Sequence, residues 1–162
     1  QNKSASKEKI NMTIKSFRGS IADGAQQIIH LRTNDGKTGY KVKKFQLLPI
    51  DSNETVEMSV KIYSHEQTTV TEDINFSDNT LIAAGIVHAN ADRDFISPDT
   101  VIFDTMIFNQ DIFITAKAGS SARNVNYYLE LEQVTLNDNE TTMATLQSIR
   151  SSYESYRPAG PS

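Results

Sequence analysis

The sequence predicts an all-β protein, an antiparallel β-sandwich of jelly-roll type that ends in one short helix. Apolar and polar residues alternate along about eight short segments, which is the period of strands with one buried face. Gly, Asn, Asp and Ser cluster between these segments, as they do in the turns of antiparallel sheets. Short strands at this spacing are typical of sandwiches and jelly rolls.

The predicted strands follow one another along most of the chain. The clearest one places the polar residues Glu57, Ser59 and Lys61 between apolar ones, so that the apolar side chains face the core and Lys61 faces water. Its apolar residues are Val56, Met58, Val60 and Ile62. The segments predicted as strands are 10–14, 28–31, 40–50, 56–62, 81–89, 101–103, 112–114 and 125–131.

Helical spacing begins only after the last of these strands. Asn137 stands three residues before Glu140, as in a capping box, and Met143, Leu146 and Ile149 follow at three-residue intervals. We therefore expect a helix over about residues 141–151 that packs on the edge of the sandwich.

The two ends of the chain differ in composition from the domain between them, which spans residues 10–151. Residues 1–9 contain three lysines and no apolar side chain larger than alanine, which predicts a flexible basic arm. Residues 152–162 contain two prolines and two tyrosines, which predicts an extended tail with adhesive side chains. Both ends are predicted to contact partners, because tyrosine and arginine are enriched in interfaces. The predicted contact residues are Lys3, Lys7, Lys9, Tyr153, Tyr156 and Arg157.

Composition excludes several classes of function. The 162-residue chain has a formal net charge of -4 and lacks the positive field that nonspecific nucleic-acid binding requires. It contains no cysteine, which excludes thiol chemistry and fits synthesis in a reducing cytoplasm. Its apolar runs are far shorter than the ~18 residues of a membrane span. We expect neither a nucleic-acid nor a membrane partner.

No motif in the sequence assembles a catalytic or metal site. The three histidines lie in different parts of the chain and lack metal-ligand spacing. Asp92, Asp94 and Asp99 could offer oxygen ligands to calcium, but the glycine and the bidentate glutamate of a calcium loop are missing, which favours a solvated loop. Glu130 and Glu132 share a strand face, and a polar surface explains them more simply than a glycosidase pair does. We predict a protein without enzyme activity, catalytic residues, cofactors or metal ligands.

Five segments carry a likeness to a known class of protein. They are residues 34–40 (NDGKTGY), 76–81 (FSDNTL), 108–112 (FNQDI), 126–132 (NYYLELE) and 142–150 (TMATLQSIR). Over roughly residues 14–149 the chain resembles small structural proteins of marine tailed bacteriophages, encoded near the major capsid gene. The resemblance implies a capsid decoration or cement protein on the virion surface, made in the host cytoplasm. Its partners would be the major capsid protein and copies of itself, with a trimer suited to threefold capsid positions.

A second class of function stays open. A β-sandwich with surface aromatics is also typical of carbohydrate-binding or receptor-binding modules, although the chain has no tryptophan to form the commonest large stacking platform. Tyrosines would have to provide the stacking faces instead. The candidates are Tyr40, Tyr63, Tyr127 and Tyr128.

Overall fold

The computed structural model describes residues 13–51, 53–89, 100–102 and 106–156. Within these ranges no helix is both long and apolar enough to cross a membrane. The described elements, in chain order, are β1 (Thr13–Ile21), β2 (Gln26–Ile29), β3 (Thr38–Pro49), β4 (Val56–Tyr63), β5 (Leu81–Ala89), β6 (Thr100–Ile102), β7 (Ile112–Ala118), β8 (Val125–Thr135) and α1 (Asp138–Tyr156).

The strands form two antiparallel sheets. The three-stranded sheet has the order β1-β8-β3, and the five-stranded sheet has the order β2-β7-β4-β5-β6. Alternate residues of both sheets contribute to one hydrophobic core, which includes Leu129 and Leu131 from β8 and Ile62 and Ile114 from the other sheet. The predicted all-β sandwich with a C-terminal helix is confirmed.

The pairing of the strands bears on the jelly-roll type. A jelly roll folds a long hairpin onto itself, so its first strand pairs with its last, its second with its seventh, and so on inward. Here β1 pairs with β8, β2 with β7 and β4 with β5. The fourth pair of a jelly roll would join β3 to β6. Here β6 is hydrogen-bonded to β5, and among the described strands it has no ladder with β3. The jelly-roll type therefore stays a prediction.

Strand β3 contains an irregularity that the sequence did not reveal. Its register against β8 shifts between Val42 and Lys44, so that Lys43 is an extra residue in the ladder. Such a bulge bends the strand and changes which residues share a face. Lys43 and Lys41 both reach Glu132 on β8, with Nζ to Oε2 distances of 3.4 and 3.7 Å.

The alternation predicted for β4 is only half correct. Val56, Met58, Val60 and Ile62 are buried as predicted, but Lys61 is also buried, with 1% of its surface exposed. The loop between β4 and β5, residues 64–80, lies over the outer face of the five-stranded sheet and covers it there. Because β4 is central in its sheet and has the core on one side and this loop on the other, the prediction that Lys61 faces water is wrong.

The buried ammonium of Lys61 is satisfied by the loop above it. Nζ donates a hydrogen bond of 2.5 Å to the backbone oxygen of Asp73 and one of 3.3 Å to Oγ1 of Thr71. It also lies 5.5 Å from the centre of the Tyr63 ring. Burial lowers the pKa of Lys61, and the carboxylate of Asp73 opposes this shift. Lys61 thus joins the loop to the sheet.

Candidate functional site

Helix α1 begins with the capping box that the sequence predicts. The backbone N–H of Asn137 donates to Oε2 of Glu140 at 2.9 Å, and the backbone N–H of Glu140 donates to Oδ1 of Asn137 at 2.9 Å. The acidic side chains of Asp138 and Glu140 lie in the first turn, where they interact favourably with the helix dipole. Lys37 from the turn before β3 adds an ion pair of 3.5 Å to Asp138.

The helix ends later than the sequence suggested. It extends from Asp138 to Tyr156, so residues 152–156 continue the helix and do not begin an extended tail. The prolines at 158 and 161 explain the error, because proline restricts itself and the residue before it but leaves earlier residues free to be helical. The predicted tail boundary at residue 152 is therefore wrong.

The side of α1 that faces the sandwich is small and polar. Thr141, Ala144, Thr145 and Ser148 are half-buried there. The amide of Asn109, itself 1% exposed, donates hydrogen bonds of 3.1 Å to Oγ1 of Thr145 and 3.0 Å to the backbone oxygen of Gly36. The helix therefore packs on the edge of the sandwich as predicted, but it does so through these short side chains, and its larger apolar residues lie elsewhere on the helix.

The apolar residues of α1 are at the surface. Met143, Leu146 and Ile149 are 70%, 49% and 58% exposed. With Ile107 and the last residues of β8, Met143 and Leu146 line an open groove of about 780 Å³ beside the helix. We call the exposed side chains of Met143, Leu146 and Ile149, together with this groove, the α1 surface.

The predicted contact residues at the chain ends are only partly placed by the structure. Lys3, Lys7, Lys9 and Arg157 lie outside the described residues. Tyr153 and Tyr156 lie in the last turns of α1, ten and thirteen residues after Met143. In the sequence they therefore continue the series 143, 146, 149 at helical spacing.

A second surface is formed by the outer face of the three-stranded sheet. The register aligns Arg18 of β1 with Tyr128 of β8 and Gln46 of β3, and the next outward row consists of Ser20, Asn126 and Leu48. These two rows border an open groove of about 450 Å³. We call this surface the outer sheet groove.

Tyr128 lines the outer sheet groove from the middle strand of the sheet, and its side chain is held in place. Its hydroxyl donates a hydrogen bond of 2.7 Å to Oε1 of Glu130, which raises the pKa of Tyr128. Nζ of Lys44 lies 6.0 Å from the centre of its ring. An aromatic ring with a fixed orientation can stack on a flat apolar face of a ligand.

The other tyrosines considered as stacking faces are not available. Tyr40, Tyr63 and Tyr127 are buried, with 2%, 7% and 8% of their surfaces exposed. Tyr127 faces inward, and its hydroxyl donates a hydrogen bond of 3.0 Å to Oε1 of Gln27. Of the four candidates, Tyr128 alone reaches the surface.

The structure does not bring together a metal-binding cluster within its described ranges. No group of three or more His, Asp or Glu side chains there could hold a metal ion. Asp92, Asp94 and Asp99 lie outside the described residues. Glu130 accepts a hydrogen bond from Tyr128, and Glu132 is paired with lysines of β3.

One histidine contacts a carboxylate at the end of β2. Nδ1 of His30 lies 3.2 Å from Oδ2 of Asp111, while the backbone N–H groups of Leu31 and Arg32 donate to Oδ1 at 2.8 and 2.9 Å. Burial alone would raise the pKa of Asp111, but these backbone hydrogen bonds and His30 hold the pKa below its ordinary value. The carboxylate joins two chain segments, which is a structural role.

Comparison with known proteins gives no family. The chain matches no protein-family model, and a search of curated proteins found no match. The functional argument therefore depends on the α1 surface and the outer sheet groove.

Proposed function

We propose that the protein is a non-enzymatic structural component of a virion, a decoration or cement protein on the capsid of a tailed bacteriophage. It would be made in the host cytoplasm and would contact the major capsid protein and neighbouring copies of itself. The observation that carries this proposal is the α1 surface.

The α1 surface has the properties of a protein-binding surface. Met143, Leu146 and Ile149 project from a helix whose start is fixed by a capping box and whose small face is held by Asn109. Apolar side chains that form a contiguous exposed patch mark interaction sites more often than chance exposure does. A helix with i, i+3, i+6 apolar anchors fits a groove or a second helix on a protein partner.

The partner that we propose is a shell subunit, because the resemblance of five chain segments to phage structural proteins indicates a capsid setting. Identical subunits around a symmetry axis form closed rings, and a trimer fits the threefold positions of a capsid.

Immunogold labelling of particles tests the virion role. Antibodies raised against the purified protein are applied to virus particles from the cells that produce it. We expect gold on capsids at a copy number that repeats from particle to particle. Capsids that stay unlabelled after permeabilisation, while the protein is abundant in the lysate, would show that the proposal is wrong.

A variant of the α1 surface tests which part of the protein attaches. We expect the triple substitution Met143→Ser, Leu146→Ser, Ile149→Ser to abolish co-sedimentation with particles stripped of the native protein. Ile28, which is 48% exposed on β2, offers a matched control as Ile28→Ser. Equal attachment of the triple variant and wild type would eliminate α1 as the attachment element.

The alternative function, a carbohydrate-binding or receptor-binding module, predicts soluble protein without capsid attachment. Three of the four candidate tyrosines are buried, which leaves Tyr128 in the outer sheet groove as the stacking face among them. One ring offers less stacking surface than this alternative was expected to use, and a ligand in the groove is compatible with a virion role.

A further inference from the structure

The outer face of the three-stranded sheet is open in the described structure, whereas residues 64–80 cover part of the outer face of the five-stranded sheet, around Lys61 and Tyr63. Arg18, Ser20, Gln46 and Leu48 are exposed on it, and Leu48 is 60% exposed. This face carries an aromatic ring on its middle strand and hydrogen-bonding groups beside it, all of which line the groove.

The charge of this face is opposite to that of the whole chain. Four cationic side chains lie on it together with two carboxylates, which gives the face a net charge of +2 in a chain of net charge -4. A positive surface on an acidic protein attracts an anionic ligand selectively, because the rest of the molecule repels it. The charged residues are Arg18, Lys41, Lys43, Lys44, Glu130 and Glu132.

The groups that line the groove have the chemistry of a sugar site. The amides of Gln46 and Asn126 and the hydroxyl of Ser20 can pair with sugar hydroxyls, and the ring of Tyr128 can stack on the C–H face of a pyranose. The guanidinium of Arg18, in the same row as Tyr128, presents the planar fork that binds a carboxylate or sulfate through two hydrogen bonds.

We propose that the outer sheet groove binds an acidic polysaccharide, a polymer of sugars that carry carboxylate or sulfate groups. Tyr128 stacks on one sugar ring, Arg18 binds the acidic group of that sugar or its neighbour, and Gln46 and Asn126 hydrogen-bond to hydroxyls. Lys41, Lys43 and Lys44 continue the positive surface along β3 for further units of the chain. This inference does not depend on the virion role.

Isothermal titration calorimetry with defined oligosaccharides tests the proposal. The probes are hexagalacturonate, a sulfated heparin hexasaccharide, neutral maltohexaose and a single-stranded oligonucleotide. The oligonucleotide has the same net charge as hexagalacturonate. We expect one or both acidic sugars to bind at least tenfold more tightly than maltohexaose and the oligonucleotide. The two acidic probes distinguish a carboxylate from a sulfate ligand.

Variants identify the residues that bind. Tyr128→Leu and Arg18→Gln should each weaken binding at least tenfold, while Tyr128→Phe, which keeps the ring, should stay within about threefold of wild type. Lys117→Gln is the control, because Lys117 is a partly exposed lysine of the five-stranded sheet that pairs with Asp23. Thermal unfolding of each variant checks that the variant is folded. If Tyr128→Leu does not fold, the loss of binding in Arg18→Gln, compared with the unchanged binding of Lys117→Gln, tests the proposal.

Three results would overturn the proposal. The first is no heat with either acidic sugar. The second is equal binding of the oligonucleotide, which would make the face a nonspecific polyanion surface. The third is binding that is unchanged in Arg18→Gln, or lost equally in Lys117→Gln, which would place the ligand elsewhere.

Discussion

The substitution Lys61→Asp tests whether Lys61 is buried, as in the structure, or faces water, as the alternating sequence of β4 predicts. The pattern of β4 predicts a water-facing side chain at this position, where aspartate would be nearly neutral. The structure buries Lys61 under residues 64–80, with Nζ 2.5 Å from the backbone oxygen of Asp73. The introduced carboxyl group would therefore lose these hydrogen bonds and sit beside the carboxylate of Asp73 and other acidic residues of the loop.

The magnitude follows from the protonation of the introduced group. A carboxyl group with an ordinary pKa near 4 costs roughly 4 kcal/mol to keep neutral at pH 7, which is cheaper than burying its charge without a partner. The lost charge-assisted hydrogen bond adds about 1.5–3 kcal/mol. We expect Lys61→Asp to lower the free energy of unfolding by about 5.5–7 kcal/mol at pH 7. Because protonation costs roughly 3 kcal/mol less at pH 4.5 than at pH 7, the difference from wild type should shrink accordingly at the lower pH.

Urea unfolding at the two pH values, followed by circular dichroism, measures this effect. Lys44→Asp is the matched control, since Lys44 is an exposed strand lysine, and it should cost less than about 1 kcal/mol. Val60→Asp, at a fully buried neighbour, should cost as much as Lys61→Asp. Lys61→Met should cost less than Lys61→Asp, because it removes the buried charge and keeps the length of the side chain. A loss below 1 kcal/mol for Lys61→Asp would refute the burial of this side chain.

Three further predictions concern α1 and the cover of the five-stranded sheet. Asn109→Ala should cost about 1–3 kcal/mol in urea unfolding and accelerate hydrogen exchange in α1, because the bond to Thr145 is lost; unchanged exchange would contradict this. Asn137→Ala should lower the free energy of unfolding by about 1 kcal/mol through loss of the cap, and unchanged urea unfolding would exclude the capping box. Burial raises the pKa of Tyr63 from 10.0 to about 12, so Tyr63→Phe should remove the latest component of an alkaline absorbance titration. Since the folded pKa is the higher one, the contribution of Tyr63 to stability is complete below pH 10 and is lost by up to about 1.4 kcal/mol per pH unit towards pH 12.

The strands could be predicted from the sequence because their signal is local. Each buried face repeats every second residue, and the turn residues between strands mark their ends, so every described strand overlaps a predicted segment. The ends are less accurate: β1 continues to Ile21, seven residues past the predicted end at residue 14. The capping box of Asn137 and Glu140 was visible for the same reason, since both partners lie within four residues. Strands and helix caps can therefore be predicted from the sequence, because the residues that form them are close together in the chain.

The errors arise where a distant segment decides the outcome. Lys61 is buried by a loop whose position the pattern of β4 does not encode, and the same residue type is exposed at Lys44 because no described segment covers that face. Which side of α1 packs on the sandwich also depends on a distant residue, because Asn109, 36 residues from Thr145, supplies a hydrogen bond to the small side of the helix. Periodicity shows that Met143, Leu146 and Ile149 share a side, and it does not show which side packs.

Strand β8 connects the two surfaces on which the functional proposals depend. Tyr128 lies near its start and Thr135 at its end, just before α1. At about 3.3 Å per residue, seven residues of strand separate these positions by about 23 Å. A single sugar bound at Tyr128 and a protein on the α1 surface should therefore bind without mutual effect, because sites this far apart with no shared contacts are usually independent. We expect Tyr128→Leu to attach to particles as wild type does, and the triple serine variant of α1 to bind acidic sugar as wild type does. Loss of both functions in either variant would mean that one surface serves both partners.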